Sequence, residues 1–80
     1  MMKLTVISPE DIVYKGEVLN VKVPGSLCPF EILEGHAPII TSLQSGILSY
    51  TTESKNEIEI NGGFIEVSNN EIVACIEPKQ

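Results

Sequence analysis

The 80-residue sequence predicts an all-β domain, a two-layer antiparallel β-sandwich or flattened barrel of eight or more short strands. Three observations predict it. Valine and isoleucine together number 18, against 6 leucines and 2 alanines, a balance that suits pleated, half-buried strands. Apolar and polar residues alternate with period two in one segment after another. Turn residues interrupt those segments every few positions, and no stretch sustains a helical period.

Lys3 to Ser8 is the first strand, with Leu4 and Val6 on one face and Thr5 and Ile7 on the other. Pro9-Glu10-Asp11 turns the chain into a short strand at Ile12-Val13-Tyr14, which ends at Lys15-Gly16. From Glu17 to Val23 the alternation puts Leu19, Val21 and Val23 on one side and Val18, Asn20 and Lys22 on the other. Pro24-Gly25-Ser26 ends that strand. Leu27 to Leu33 is less regular, and Pro29 cannot donate to a ladder, so this piece is an edge strand or an exposed loop. Leu27 and Phe30 within it either form a contact surface or tuck into the core.

The middle of the chain carries Glu34-Gly35-His36-Ala37-Pro38, a corner in which Gly35 tolerates unusual dihedrals and Pro38 drives Ala37 toward extended backbone. Ile39 to Leu43 and Ile47 to Thr52 follow as strands around Gln44-Ser45-Gly46. Glu53-Ser54-Lys55-Asn56 makes a hairpin loop, and Glu57-Ile58-Glu59-Ile60 alternates again. The two glutamates share a face about 7 Å apart, which alternation explains as a solvated strand surface without any catalytic pairing. Asn61-Gly62-Gly63 marks a bulge or tight bend. Phe64 to Ser68 and Glu71 to Glu77 are the last strands, joined by Asn69-Asn70 as a two-residue turn with positive dihedrals. The alternation assigns Leu19, Val21, Val23, Ile58, Ile60 and Val67 to a single core within one domain, residues 1–80.

Composition narrows the function. The net charge is −6 and all five cations are lysines, a poor basis for gripping phosphates, so nucleic acid is not an expected partner. No apolar run reaches the ~20 residues that span a bilayer as a helix. The N-terminus, Met1-Met2-Lys3-Leu4-Thr5, passes directly into a strand pattern and does not resemble a signal peptide. Cys28 and Cys75 are therefore expected as free thiols, a disulfide being the alternative in a secreted protein.

His36 is the lone histidine. A general base or a zinc ligand would need a nucleophile, an orienting carboxylate or several soft ligands beside it, and the sequence supplies none in a recognisable spacing. An architectural role, with one ring nitrogen bonded to a backbone carbonyl, is the expectation. There is also no phosphate loop, nucleophile elbow or dinucleotide fingerprint, so neither cofactor nor nucleotide binding is expected. Residue chemistry alone describes a small acidic interaction module.

A resemblance goes further. Leu4-Thr5-Val6-Ile7-Ser8-Pro9-Glu10, then Gly25-Ser26, Gly35-His36-Ala37-Pro38-Ile39-Ile40-Thr41-Ser42-Leu43, Gly46-Ile47-Leu48 and Asn61-Gly62-Gly63-Phe64-Ile65-Glu66-Val67 stand in an order and spacing that resembles the epsilon subunit of F-type ATP synthases, called delta in mitochondria. The resemblance spans nearly the whole chain. It implies a sandwich of about ten strands in the central stalk, non-catalytic in itself, gripping the gamma subunit and resting on the c-subunit ring. It also implies a peripheral place at the cytoplasmic face of the bacterial inner membrane, where proton translocation is coupled to ATP synthesis. Its ring-contact loop falls on Ser26, Leu27, Pro29, Phe30, Glu31 and Glu34, its structural corner on Gly35, His36, Ala37 and Pro38, and its structural bend on Gly62 and Gly63.

This sequence departs from the family pattern in two places. Relatives often carry glycines and an acidic residue across Leu27-Cys28-Pro29-Phe30-Glu31, where here only Glu31 is charged. The C-terminal helical hairpin that inhibits ATP hydrolysis in many relatives, and binds ATP in some, would begin about where this sequence stops. A free-standing β-sandwich binding module, or a small enzyme on the same scaffold, is the alternative, and co-purification with gamma separates the two.

Overall fold

The computed structural model describes residues 1–79. Eight strands form in chain order: β1 Met2–Ile7, β2 Ile12–Val18, β3 Asn20–Val23, β4 Phe30–Ile32, β5 Ile39–Leu43, β6 Gly46–Thr51, β7 Lys55–Ser68 and β8 Glu71–Pro78. Hydrogen bonding links them in the order β2-β1-β8-β7-β6-β3-β4, with β5 also on β7, so β2 and β4 are the outer strands of an unclosed sheet.

The long β7 makes two layers out of that sheet. Its first half, Lys55 to Ile60, pairs with β6, which passes the pairing on to β3 and β4. Its second half lies between β5 on one edge and β8 on the other, and β8 leads to β1 and β2. At the junction the register of β7 against β8 shifts between Ile60 and Gly62, the signature of a bulge, and bulges bend strands. The two halves thus fold over one another. Their facing side chains form one core, with Leu4, Val6, Ile65, Val67, Ile72, Ala74 and Ile76 from one layer against Val21, Val23, Ile32, Leu48 and Ile60 from the other. An open single layer could not enclose both faces of these residues, and eleven of the large side chains are essentially fully buried. Each such side chain contributes about 1.5–3 kcal/mol of burial.

The structure corrects several boundaries. Among the described residues there are eight strands rather than about ten; Glu57-Ile58-Glu59-Ile60 and Phe64 to Ser68, read as two strands, belong to one bent strand. The sheet is not wholly antiparallel: β1 and β8, near the two ends of the chain, run parallel, Lys3 opposite Glu71 through Ile7 opposite Cys75. Strand β2 continues through Lys15-Gly16 to Val18 because β1 offers it a partner throughout. Leu19 is not in the core. It stands 56% exposed, while Val18 is buried at 1%. The chain bends at Leu19 as it leaves β2 for β3, with the Leu19 amide donating to the Thr51 carbonyl at 2.8 Å. That bend shifts the phase by one residue, so Val18, Val21 and Val23 all face inward. Ile58 packs against the core only partly buried.

Asn69 and Asn70 have φ of +51° and +62°, the pair of positive values that a type I′ hairpin turn requires. The Tyr14 ring lies 4.4 Å from that of Tyr50, and its hydroxyl donates to the Glu17 carbonyl at 3.0 Å. Burial, reinforced by the neighbouring Tyr14, raises the Tyr50 phenol above its usual pKa. The folded state therefore holds this proton more tightly than the unfolded chain. Its contribution to stability is intact below about pH 10 and is lost as the pH rises through the higher folded value. Urea midpoints measured across that alkaline window are expected to fall less steeply in a Tyr50→Phe protein than in the wild type.

Candidate protein-docking loop

The segment from Ser26 to Glu34 projects from a stem that the backbone pins on both sides. Pro24 and Gly25 are buried at the end of β3, where Gly25 bridges to Leu43 and the Gln44 amide donates to the Pro24 carbonyl at 2.8 Å. The Ser26 amide donates to the Ser42 carbonyl at 3.0 Å, and the Ser42 hydroxyl donates to that of Ser26 at 2.8 Å. Gly25 admits no side chain here: a Cβ would meet the Cys28 carbonyl at 2.6 Å and the Phe30 ring at 2.8 Å.

Beyond this stem the chain turns outward. Leu27 is 98% exposed, and Cys28 and Pro29 are exposed beside it. Phe30 packs against the core while remaining half-exposed, and Ile32 is fully buried, so β4 is a three-residue edge strand anchored by two side chains. Pro29 at its doorstep and β3 as its single partner agree with the missing amide. Of the two readings open for this pair, Leu27 takes the surface and Phe30 mostly the core. A shallow groove of about 510 Å³ runs alongside, lined by Lys22, Val23, Pro29, Phe30, Glu31 and Ile47. Ile47 is half-exposed in it, and sequence reasoning missed this residue because its alternation with Leu48 is the same as that of any strand with one dry face.

The acidic side chains of the loop have local partners. Glu31 accepts from the Asn20 amide group at 2.9 Å, and Glu34 lies 3.2 Å from the N-terminal ammonium. Both are surface contacts, worth little in stability, but they orient the carboxylates.

The corner that follows is a turn. The His36 amide donates to the Leu33 carbonyl at 3.1 Å, and Gly35 has a φ of +83°, the value that a type II turn asks of its third residue. The Gly35 amide donates to the Asn70 side-chain oxygen at 2.8 Å, tying this turn to the β7–β8 hairpin. His36 is half-buried, its Nδ1 is 2.7 Å from the Ala37 carbonyl, and its ring centroid is 6.3 Å from that of Phe30. Ala37 and Pro38 are exposed and lead the chain into β5. Among the described residues no three His, Cys, Asp or Glu side chains gather as metal ligands would. Gly62 and Gly63 lie elsewhere, at the bend of β7. Replacing His36 by alanine is expected to cost about 1 kcal/mol, the worth of one part-exposed hydrogen bond and some ring packing, read as a lower urea midpoint with an unchanged slope.

Among the described residues the arrangement is one of shape and exposed apolar surface, without a cleft in which reacting groups converge. The chain matches a known pattern over most of its length: residues 1–77 fit the family described as ATP synthase, delta/epsilon chain, beta-sandwich domain. The chain belongs to this family.

Its relatives in the family differ in length. An ATP synthase epsilon chain from Leptospira interrogans serogroup Icterohaemorrhagiae serovar copenhageni (strain Fiocruz L1-130) is 46% identical over 72 residues, covering 89% of this chain and 57% of the relative. This chain thus spans little more than half the length of that relative. An ATP synthase epsilon chain from Chlorobium limicola is 39% identical over 77 residues, covering 94% of this chain and 88% of its own. Among solved structures, a chain in the Euglena gracilis mitochondrial ATP synthase (OSCP/F1/c-ring, rotational state 1) superposes with a TM-score of 0.88 at 24% identity, over 94% of this chain and 49% of that one. At that identity the superposition establishes the fold, a sandwich shared across a wide sequence distance.

Proposed function

We propose that this chain is a non-catalytic rotor component of an F-type ATP synthase, linking the gamma subunit to the membrane c-ring in the central stalk. The observation that carries the reading is the fit of residues 1–77 to the delta/epsilon sandwich family. Relatives named ATP synthase epsilon chain at 39–48% identity support it. In this reading the loop with Ser26, Leu27, Pro29, Phe30, Glu31 and Glu34 meets the ring. Leu27, 98% exposed on a stem held by the Ser26 and Ser42 hydrogen bonds, supplies apolar contact area at low ordering cost. The corner at Gly35, His36, Ala37 and Pro38 and the bend at Gly62 and Gly63 hold the loop and the sandwich in register. Holding shaft and ring together lets torque pass without slippage, coupling proton translocation to ATP synthesis. The place implied is peripheral, within the synthase complex at the cytoplasmic face of a bacterial inner membrane.

The test is reconstitution. Added to synthase complexes stripped of their own epsilon subunit, the chain is expected to restore proton-driven ATP synthesis. A Leu27→Asp variant is expected to weaken attachment to the ring while sparing co-purification with gamma. A protein that engages neither gamma nor ring would refute the reading.

A further inference from the structure

Of the two outer strands of the sheet, β2 offers the longer free edge. At β4 the edge is three residues long with Pro29 beside it, a combination that resists further pairing. β2 runs for seven residues, Ile12 to Val18, without a proline. Which of its backbone groups point outward follows from β1. The Lys3 amide donates to the Asn70 carbonyl at 2.9 Å, on the β8 side, so Lys3 and, two positions on, Thr5 turn their backbone groups away from β2. Their partners in β2 are Glu17 and Lys15, whose N–H and C=O groups are therefore directed to the free edge.

This edge complements itself. An antiparallel copy centred on Gly16 sets Lys15 opposite Glu17 of the second copy, and Glu17 opposite its Lys15. Both residues are exposed, and neither joins a salt bridge among the described residues. They are also the residues with outward backbone groups, so this register lets each pair close ladder hydrogen bonds in both directions. The Tyr14 hydroxyl already donates to the Glu17 carbonyl at 3.0 Å, and the second lone pair of that oxygen is left for the incoming amide. The register extends a row of alternating charge as well. Glu71 lies opposite Lys3 and Lys3 opposite Glu17, and Lys15 of the second copy comes next. At each end of the seam Val13, 45% exposed, meets Leu19 of the other copy, 56% exposed. The core of the single chain leaves both of these apolar side chains out.

We infer that β2 is a self-association edge, along which two free chains pair antiparallel about Gly16 into one continuous sheet. The inference concerns the unassembled chain and is independent of the rotor reading. A net charge of −6 on each copy opposes the approach. Pairing is therefore expected to be weak, with a dissociation constant on the order of 0.1–1 mM.

Hydrogen exchange followed by NMR locates the seam. The amides of Lys15 and Glu17 are expected to exchange about twofold or more slowly at about 2 mM protein than at about 20 µM, while the Gly16 amide, which pairs with Leu4, does not change. Charge exchange tests the register. Lys15→Glu and Glu17→Lys, each alone, put like charges opposite one another and are expected to weaken self-association about tenfold in sedimentation. An equimolar mixture of the two variants restores opposite charges across the seam and is expected to associate about as well as the wild type. Circular dichroism checks that each variant is folded. A wild type that stays monomeric at about 2 mM overturns the inference, given the constant expected above. So does a Lys15→Glu protein that self-associates as well as the wild type, or a mixture no better than its components. If the two amides stay fast in the concentrated chain and slow only when gamma is added, the edge belongs to gamma and the pairing of copies is wrong.

Discussion

A Gly63→Ala protein is expected to lose a large share of the domain's stability, roughly 2–6 kcal/mol. Gly63 sits at the bend of β7 with a φ of +143°, a region that side-chain-bearing residues rarely enter. A methyl group built on it would overlap the Cys75 carbonyl oxygen, deep inside contact distance, and would also press on the Ile76 Cα at 3.0 Å. Both obstacles are backbone atoms of β8 held by the ladder, so neither swings aside as a side-chain tip would. Dihedral strain of about 1–3 kcal/mol and overpacking of about 1–3 kcal/mol add to roughly 2–6 kcal/mol. A domain of this size has a total stability of roughly 4–12 kcal/mol at ~0.05–0.15 kcal/mol per residue.

The adjoining Gly62 makes the control. Its φ of +158° lies at the edge of the same disfavoured region, but a Cβ there would find its nearest neighbour, the Leu43 carbonyl, only at 3.4 Å, so the steric overlap is absent. Gly62→Ala is expected to fold, with a loss of about 1–3 kcal/mol from dihedral strain alone. Urea denaturation of the pair measures the difference. Equal stability of the two variants would show that the bend is not held by the Gly63–Cys75 approach.

Ile65→Ala is the second large effect. Ile65 is fully buried in the half of β7 that lies between β5 and β8, with Thr41 and Ala74 as its cross-strand neighbours. Ala74 is too short to fill the space left behind, and the backbone on both sides is locked in ladders. The cavity should therefore persist, at a cost of about 2–5 kcal/mol, whereas Ile65→Val should cost about 0.5–1.5 kcal/mol. Chemical denaturation that gives the same loss for both variants would mean the site collapses freely. A loss under 1 kcal/mol for alanine would contradict the single shared core.

Much of the fold was legible because strand chemistry is local. Leu4 and Val6 are buried and Thr5 half-buried, as their alternation implied, and the Asn69-Asn70 turn adopts its positive dihedrals. Leu19 was not legible. Its alternation with Val21 is correct only if the strand runs unbroken, and the bend that breaks it depends on the Leu19 amide reaching Thr51, 32 positions away. The boundary of β7 was missed for the opposite reason. Asn61-Gly62-Gly63 is the bulge its composition announced, but the strand does not stop there, because β8 continues the ladder across it. The expectation that β-structure would be wholly antiparallel missed β1 against β8, since nothing in either segment encodes the direction of its neighbour.

The candidate site divides in the same way. Pro29 in an irregular apolar stretch announced an edge or loop, because a missing amide is a property of one residue. Which of Leu27 and Phe30 stays exposed was decided by tertiary packing, with Phe30 closing over the bare backbone of Gly25 and Leu27 left outside. By itself the sequence determined an all-β class, the main turns and, through motifs spread along its length, the family; each depends on residue chemistry within a few positions. Only the tertiary structure decided the continuity of β7 through its bend, the parallel pairing of β1 with β8 and the exposure of Leu19. Those three features arise where backbone from distant parts of the chain meets, and pairing at such distances leaves no periodic trace in the sequence.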